Sequence, residues 1–361
     1  MLRKPLTLAV SGLHRGNNPQ PGPAVIQSIR RRYPEACVIG LSYDPLESGI
    51  YSFGPDGVEA AYLMPYPGAG PEALLKRIDE IRENHHIDLI VPCLDSEIPN
   101  YITLAKEFRS RKILLSLPRP QSFERRLKDQ MGRLGKKTGV LVPSTFVAPD
   151  LASAYYWGSF VGYPLILKGK HYEARRVGSP AALAEAFYSI TAAWGGPVLV
   201  QEFVVGIEYD VIGLGDGKGG IVGSCSIRKL LLTEAGKAFS GIVVADPELD
   251  AQVARIIVEL KWNGPFELEF IWRVGEFMLI EMNPRFPAWC DFPSQIGCNL
   301  PAALVEQMMV GTTTPLRMIE PGRMFIRHSV DLVGDISDVA ELSMTGAISR
   351  ELNSVRSEIA R

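Results

Sequence analysis

The stretch from Phe266 to Phe286, FELEFIWRVGEFMLIEMNPRF, constrains the fold more than any other part of the chain. It sets acidic side chains inside two apolar runs separated by a Val-Gly pair. Side chains alternate faces along a strand, so apolar and polar residues in alternation mark strand structure. The spacing predicts a strand, a tight turn at Val274-Gly275, and a second strand. Glu281, Asn283 and Arg285 then share one face, and Glu269 can lie on the same face across the hairpin. The opposite faces carry Leu268, Phe270, Ile280 and Met282.

Two carboxylates, an amide oxygen and a guanidinium thus converge on one surface. That donor set suits Mg2+, a hard ion that takes oxygen ligands and keeps positions for phosphate and water. Arg285 adds a planar fork of donors for phosphate oxygens. The other reading is a solvated hairpin with mixed charges. The apolar setting of the acids counts against it, because an unpaired buried carboxylate is costly. On the residues alone, both readings stay open.

The rest of the chain alternates short apolar runs with helical patterns. Leu6–Val10, Cys37–Leu41 and Leu89–Cys93 read as strands; Pro23–Arg32, Pro71–Glu83 and Tyr101–Phe108 read as helices. Strands alternating with helices predict a parallel sheet with crossovers, so residues 1–120 read as a Rossmann-like α/β domain. Phe123–Thr138 is expected to be a basic helix, Pro164–Lys168 a strand ending on a lysine, and Ala181–Ala193 a helix. These make a small α+β unit over 121–200. Val198–Phe203, Tyr209–Leu214, Ile221–Arg228, Phe266–Ile271 and Phe277–Met282, with a helix at Pro247–Leu260, predict a mostly antiparallel sheet. That unit is expected over 201–334, followed by a polar, weakly patterned tail at 335–361. A length of 361 residues with 46% hydrophobic content supports two or three such domains.

Several function classes are disfavoured. The net charge is −2, and the basic runs Arg30–Arg32 and Arg109–Lys112 sit at helix ends, so no nucleic-acid footprint is expected. The run Gly215-Asp216-Gly217-Lys218-Gly219-Gly220 satisfies G-x-G-x-x-G, but a β-rich run follows it. A dinucleotide site needs a helix there, so a hairpin turn is expected and a nicotinamide oxidoreductase is disfavoured. No P-loop occurs. The five cysteines contain no C-x-x-C and the five histidines no ligand spacing, which argues against zinc and for a reducing cytoplasm. No run reaches the ~20 apolar residues of a membrane span.

FELEF followed by LIEMNPR closely resembles the metal-binding strands of the ATP-grasp superfamily, as in biotin carboxylases and carbamoyl-phosphate synthetase large chains. Other parts fall in that superfamily's order. Lys128 in RLKDQ precedes Gly139 and Pro143; Lys168 closes YPLILK; Gln201-Glu202-Phe203-Val204 is followed by Gly206 and Glu208; VPCLDSE (Val91–Glu97) ends a strand of the first domain. The resemblance spans about residue 5 to about 310. It implies an ATP-grasp fold, α/β and α+β, with 1–120 as the Rossmann-like pre-ATP-grasp domain. The units 121–200 and 201–334 would be the small and large ATP-grasp subdomains.

The resemblance also implies roles. Glu269, Glu281 and Asn283 would hold Mg2+, or Mn2+, bridging ATP phosphates. Lys128 and Lys168 would contact phosphates. Glu202 and Val204, flanking Phe203, would meet the adenine edge through the backbone, with Gln201 near the base and Glu208 on the ribose. Arg285, with Lys168, would stabilise the transferring phosphoryl group, and Arg228 could clamp a carboxylate. The implied reaction activates a small-molecule carboxylate as an acyl phosphate for an amine or thiol, with a homodimer as the assembly to test. Trp289, Asp291, Ser294, Asn299, Lys229, Lys237 and the loop Gly12–Gly22 are the substrate candidates. The segment after Lys168 departs from the pattern: it lacks glycine between Gly169 and Gly178, and Lys170, Arg175 or Arg176 would have to meet phosphate by charge. Gln201 is neutral where an acid is common. A nucleotide-binding sensor of little catalytic power is therefore the competing hypothesis.

Overall fold

The computed structural model describes residues 6–16, 18–52, 56–169, 173–234, 236–311, 314–317 and 319–349. The strands form three sheets. The first contains β1 (Thr7–Ser11), β2 (Cys37–Ser42), β3 (Ala60–Leu63) and β4 (Leu89–Val91), in the order β3-β2-β1-β4, all parallel. Its strands are buried on both faces, which is why they read as continuous apolar runs. The run AAYL of β3 is short and poor in β-branched residues, and pairing with β2 recruits it. Helices Gly22–Arg32 and Pro71–Arg82 supply crossovers. With β2 and β4 on either side of β1, the crevice lies at the carboxyl ends of β1 and β4. The loops Gly12–Gly22 and Val91–Glu97 leave from there.

A four-stranded antiparallel sheet follows, made of β5 (Thr145–Ala148), β6 (Leu165–Gly169), β7 (Ala174–Val177) and β8 (Val198–Glu202), in the order β5-β8-β6-β7. Helices Leu151–Val161 and Pro180–Trp194 cover it through Ala154, Leu183, Phe187 and Ile190. The run containing β8 was grouped in the sequence with the strands after it; its pairing with β5 and β6 puts it in this sheet instead.

The third sheet has β9 (Ile207–Asp216), β10 (Ile221–Leu232), β11 (Ala238–Val243), β12 (Asn263–Arg273), β13 (Glu276–Asn283) and β14 (Met324–Ile326), in the order β13-β12-β9-β10-β11-β14. One face is a core: Phe266, Leu268, Phe270, Phe277, Leu279 and Met282 pack on Leu249, Val253, Ile256 and Ile257 of helix Pro247–Leu260. On the other face, Ile212, Leu214, Cys225 and Ile227 pack with Leu300, Ala303 and Leu304 of helix Leu300–Val310. That helix lies against helix Gly22–Arg32, which joins the third sheet to the first. The run Gly215–Gly220 is the β9–β10 hairpin turn, with Asp216 Oδ1 accepting from the amides of Lys218 (2.7 Å) and Gly220 (2.8 Å). No described helix is long and apolar enough to cross a membrane.

Three further expectations are corrected. The basic helix is two helices, Pro120–Arg125 and Met131–Thr138, with Lys128 in the break. Arg126 donates to the Met282 carbonyl (3.2 Å) and Lys128 pairs with Glu281 (3.1 Å). Residues two apart on a helix do not face the same way, so a continuous helix could not deliver both to β13. Next, the described part of the tail is no separate segment. Helix Ile336–Thr345, capped by Asp335, leads into β15 (Ala347–Ser349), which pairs antiparallel with β3. Its anchors, Leu342 and Ile348, are too sparse to show as a pattern. Finally, Ile280 is not part of the apolar face. A bulge sets Glu281 opposite Glu269 but Leu279 opposite Phe270, which leaves Ile280 as the extra residue.

The β12–β13 turn has positive φ at Val274 (50°) and Gly275 (86°), as a type I′ turn requires. A β-branched residue is strained there. The Val274 side chain is 88% exposed, so it contributes little packing. Val274→Asn should raise stability by about 1 kcal/mol, read as a higher urea midpoint at unchanged m-value.

Candidate active site

The register of three strands builds the site. Glu269 lies opposite Glu281 on β13 and opposite Asp210 on β9; Glu267 lies opposite Asn283, and Ile271 opposite Glu208. Directly paired residues share a face, and so do residues two apart on a strand. One side of the sheet therefore carries Glu208, Asp210, Glu267, Glu269, Glu281 and Asn283. The other side carries the aromatic core.

Cations from the rest of the chain meet these acids. Lys229 of β10 bonds Glu269 (2.7 Å) and pairs with Glu208 (3.3 Å). Lys128 pairs with Glu281. Arg285 donates through Nε to Asp95 (3.1 Å) and through Nη1 to Glu267, which links the loop after β4 to the third sheet. Asn283 donates its amide nitrogen to Glu267 (2.9 Å) and Glu269 (3.3 Å), leaving its amide oxygen available as an acceptor. Trp289 Nε1 donates to Asp210 (3.1 Å).

The titration behaviour follows. Burial alone would raise Glu281, but Lys128 and Lys168 outweigh it and hold the carboxyl at about 2. Burial also opposes ionised Glu267, and Arg285 with Lys229 reverses the effect, so it lies below the ordinary value. Asp210 is pushed well up, by burial first and then by Glu267. Lys168, on β6, is lowered by burial, with Glu281 opposing. Lys237 is lowered to about 8, first by burial and then by the like charge of Arg285; Arg327 adds to this, while Glu267 and Asp95 oppose it.

Most expected site residues lie in or beside this face. Glu269, Glu281, Asn283 and Arg285 are within it, with Lys128 and Lys168 around Glu281. Glu202 closes β8, and Phe203 and Val204 begin the link from the second sheet to the third. Gln201 gives its amide nitrogen to Thr145 Oγ1 (2.8 Å), Glu202 lies 3.8 Å from Arg273, and Glu208 is held by Lys229. Arg228 is not brought to the cluster: it is exposed, because alternation along β10 turns Lys229 inward in its place. Asp291, Ser294 and Asn299 join helix Gly22–Arg32 instead. Asp291 takes both arms of Arg31 (3.0 Å each), Ser294 bonds Ser28 (2.9 Å), and Asn299 bonds the Ser28 carbonyl (2.7 Å). Arg175 is held by Glu173 (2.6 Å) and Arg176 lies over the Phe203 ring (4.5 Å); Lys170 lies outside the described residues.

Glu267, Asp210, Asp95 and Arg327 were not anticipated. Alternation could have found the first two, because each sits two positions from a residue already singled out. Asp95 lies within the VPCLDSE run, yet nothing local marks its partner. Arg327 carries no local signal at all.

No protein-family model matches the chain. The large chain of carbamoyl phosphate synthase from Halomonas eurihalina is 23% identical over 228 residues, which is 58% of this chain and 21% of that protein. The chain thus spans about a fifth of the length of this curated relative. Among solved structures, L-amino acid ligase from Bacillus licheniformis aligns with TM-score 0.65 at 15% identity, covering 90% of this chain and 79% of that one. The biotin carboxylase domain of 2-oxoglutarate carboxylase from Hydrogenobacter thermophilus, solved with MgADP and bicarbonate, aligns with TM-score 0.65 at 16% identity, covering 89% and 74%. The chain has the ATP-grasp fold, with its parallel N-terminal sheet and two antiparallel sheets.

Near pH 8 about half of Lys237 should be deprotonated, against less than about 1% of an ordinary lysine. The sign follows from burial and like charge, which both disfavour the ammonium. Acetylation of Lys237, followed by peptide mass spectrometry across pH, should inflect near 8. An inflection above 10, shared with the other lysines, would contradict this crowding.

Proposed function

We propose that the chain is an ATP- and Mg2+-dependent ligase that activates a carboxylate as an acyl phosphate for attack by an amine or thiol. The observation that carries this reading is the Glu269–Glu281 pair, set directly opposite on neighbouring strands with Lys128 and Lys168 around Glu281. The donor set fits Mg2+. Among the described residues no group of three or more His, Cys, Asp or Glu side chains forms a metal cage. A hard ion completed by phosphate oxygens needs no such cage; one or two carboxylates are enough. Glu269, Glu281 and the amide oxygen of Asn283 would hold the ion, which would neutralise charge on the ATP phosphates.

The chain's own groups would do the rest. Lys128 and Lys168 would receive the phosphates, and backbone groups of Glu202 and Val204 would meet the adenine edge, with Gln201 beside the base and Glu208 at the ribose. A carboxylate oxygen would attack the γ-phosphorus, breaking its bond to the bridging oxygen and releasing ADP. The amine or thiol would then attack the acyl carbon and expel inorganic phosphate. Preorganised cations suit this chemistry, which depends mainly on positioning and charge neutralisation. MgADP in the Hydrogenobacter domain supports the nucleotide part of the reading.

The sensor reading draws on the β6–β7 hairpin, where Arg175 and Arg176 are engaged by Glu173 and Phe203. Mg2+-dependent ADP release with pooled amino acids and carboxylates separates the two. Under the ligase reading the pool stimulates release, and Glu281→Gln lowers it on the order of a hundredfold or more, measured below the variant's own thermal midpoint so that loss of folded protein does not account for it. Retained turnover in that variant would refute the metal assignment. Mg2+-dependent ATP binding without stimulated release would favour the sensor.

A further inference from the structure

Surface helices of this chain carry charge on the side away from the core. Helix Pro71–Arg82 exposes Glu72, Lys76 and Arg82, and helix Pro247–Leu260 exposes Glu248 and Arg255. The two helices over the second sheet do not follow that rule. Leu151–Val161 has no charged side chain, and none follows it before Lys168; Pro180–Trp194 has Glu185 alone. On the first helix Ala152, Tyr155, Tyr156, Ser159 and Phe160 are exposed. Their spacings of three and four residues put them on one stripe. On the second, Glu185, Tyr188 and Ala192 form the matching stripe. Tyr156 is 64% exposed, Phe160 69% and Tyr188 61%. The inward stripe of the first helix holds Ala154 and Gly158. A Cβ on Gly158 would lie 3.1 Å from Leu183 of the second helix, so the two helices pack closely and present one surface.

We propose that this two-helix face pairs with the same face of a second copy of the chain, forming a two-fold dimer. The pairing does not depend on the ligase reading.

Period is the first support. A helix that is apolar on every side belongs in an interior, and the second sheet buries only one side of these two. A contiguous apolar surface of this kind marks a contact site.

Charge selects the occupant. A two-fold contact brings a patch against itself, so a patch carrying many charges of one sign repels its own copy. This face carries Glu185, and Asp150 at its border is engaged in capping, accepting from the Ser153 amide (2.7 Å). Recognition of a different protein draws on charges for steering and partner choice, and this face offers almost none. Neither helix has a basic side chain to draw it to an anionic bilayer.

The exposed rings are also held in advance. Trp157 stacks on Phe146 of β5 (4.3 Å between centroids, 10° between planes). Phe160 meets Phe146 edge-on (5.4 Å), and Tyr156 meets Trp157 edge-on (4.9 Å). Ordering them in a contact therefore costs little side-chain entropy. Helices of 11 and 15 residues lying side by side give a face about 20 Å long and about 20 Å wide. That is about 400 Å² per copy in plan, near the lower limit for a specific interface once side-chain relief is included. Such an area suits a reversible dimer of micromolar affinity.

Sedimentation equilibrium of the full chain over about 1–200 μM should show a monomer–dimer equilibrium. Phe160→Glu and Tyr188→Glu, one on each helix, should each weaken pairing at least about tenfold. Val258→Glu, at a 57% exposed apolar position on helix Pro247–Leu260, should leave it unchanged. Near-UV circular dichroism checks that each variant is folded. Raising NaCl from about 0.05 to about 0.5 M should weaken pairing less than about twofold, because no charge pair spans the contact. A chain that stays monomeric, a dimer that survives both helix substitutions or is equally lost in Val258→Glu, or a dimer that salt dissociates would each overturn the proposal. Monomer that partitions onto phosphatidylcholine vesicles, and no longer does so in Phe160→Glu, would overturn it in favour of a lipid surface.

Discussion

Carboxylates set into the face of a β-sheet require counter-ions, and that requirement ties the separate layers of this chain together. Within its own hairpin stretch Glu267 meets Arg285, whereas Glu269 and Glu281 draw their cations from elsewhere. Lys229 comes from β10, Lys128 from the break between two helices, Lys168 from the second sheet, and Arg285 is shared with Asp95 of the first. Withdrawing one partner of such a buried pair typically costs about 3–5 kcal/mol, because the charge left behind is uncompensated. The contacts that assemble the layers are therefore also the contacts that assemble the site. Net stability comes from elsewhere: ion pairs of this kind add little beyond well-packed apolar groups, and the opposite face of β12 and β13 supplies those in Phe266, Leu268, Phe270 and Leu279.

One sheet thus performs two tasks through the period of two. The aromatic side fixes β12 and β13 against helix Pro247–Leu260, and this sets the register that puts Glu269 opposite Glu281. A slip of one residue would turn the acids into the core and the phenylalanines toward the cleft. The bulge at Ile280 refines the arrangement, keeping Leu279 in the core while Glu281 and Asn283 stay on the polar side. Polarity is also graded along the strands. Lysines gather at the Glu281 end, and Arg285, Arg327 and Lys237 at the Glu267 end.

Much of this was legible where the signal was local. FELEF and LIEMN carry their alternation openly, the GDGKGG turn was recognisable from the β-rich run after it, and the apolar runs of β1, β2 and β4 matched a parallel sheet. Legibility failed where a distant partner decides. AAYL becomes a strand through β2, Leu342 and Ile348 dock a polar tail onto β3, and the helix expected around Lys128 breaks because Met282 and Glu281 each claim a side chain from it. In the sequence Arg228 is favoured over Lys229, and the placement of β10 reverses that preference. Alternation then admits one of them to the cleft and sends the other to solvent.

The sequence by itself determined which residues could carry the chemistry: a hairpin with acids on one face and aromatics on the other, a lysine ending a strand, and a polar loop after the first strand. Those are properties of side-chain period and of local turn preference, which act over a few residues. Tertiary structure decided which charges are neutralised and which are left. Asp95 lies 190 positions from Arg285, yet together with Glu267 it claims that guanidinium, while Lys237 and Arg327 donate to the backbone carbonyls of Pro19 and Ala238. Electrostatic pairing depends on distance through space, and no local pattern in the chain encodes that distance.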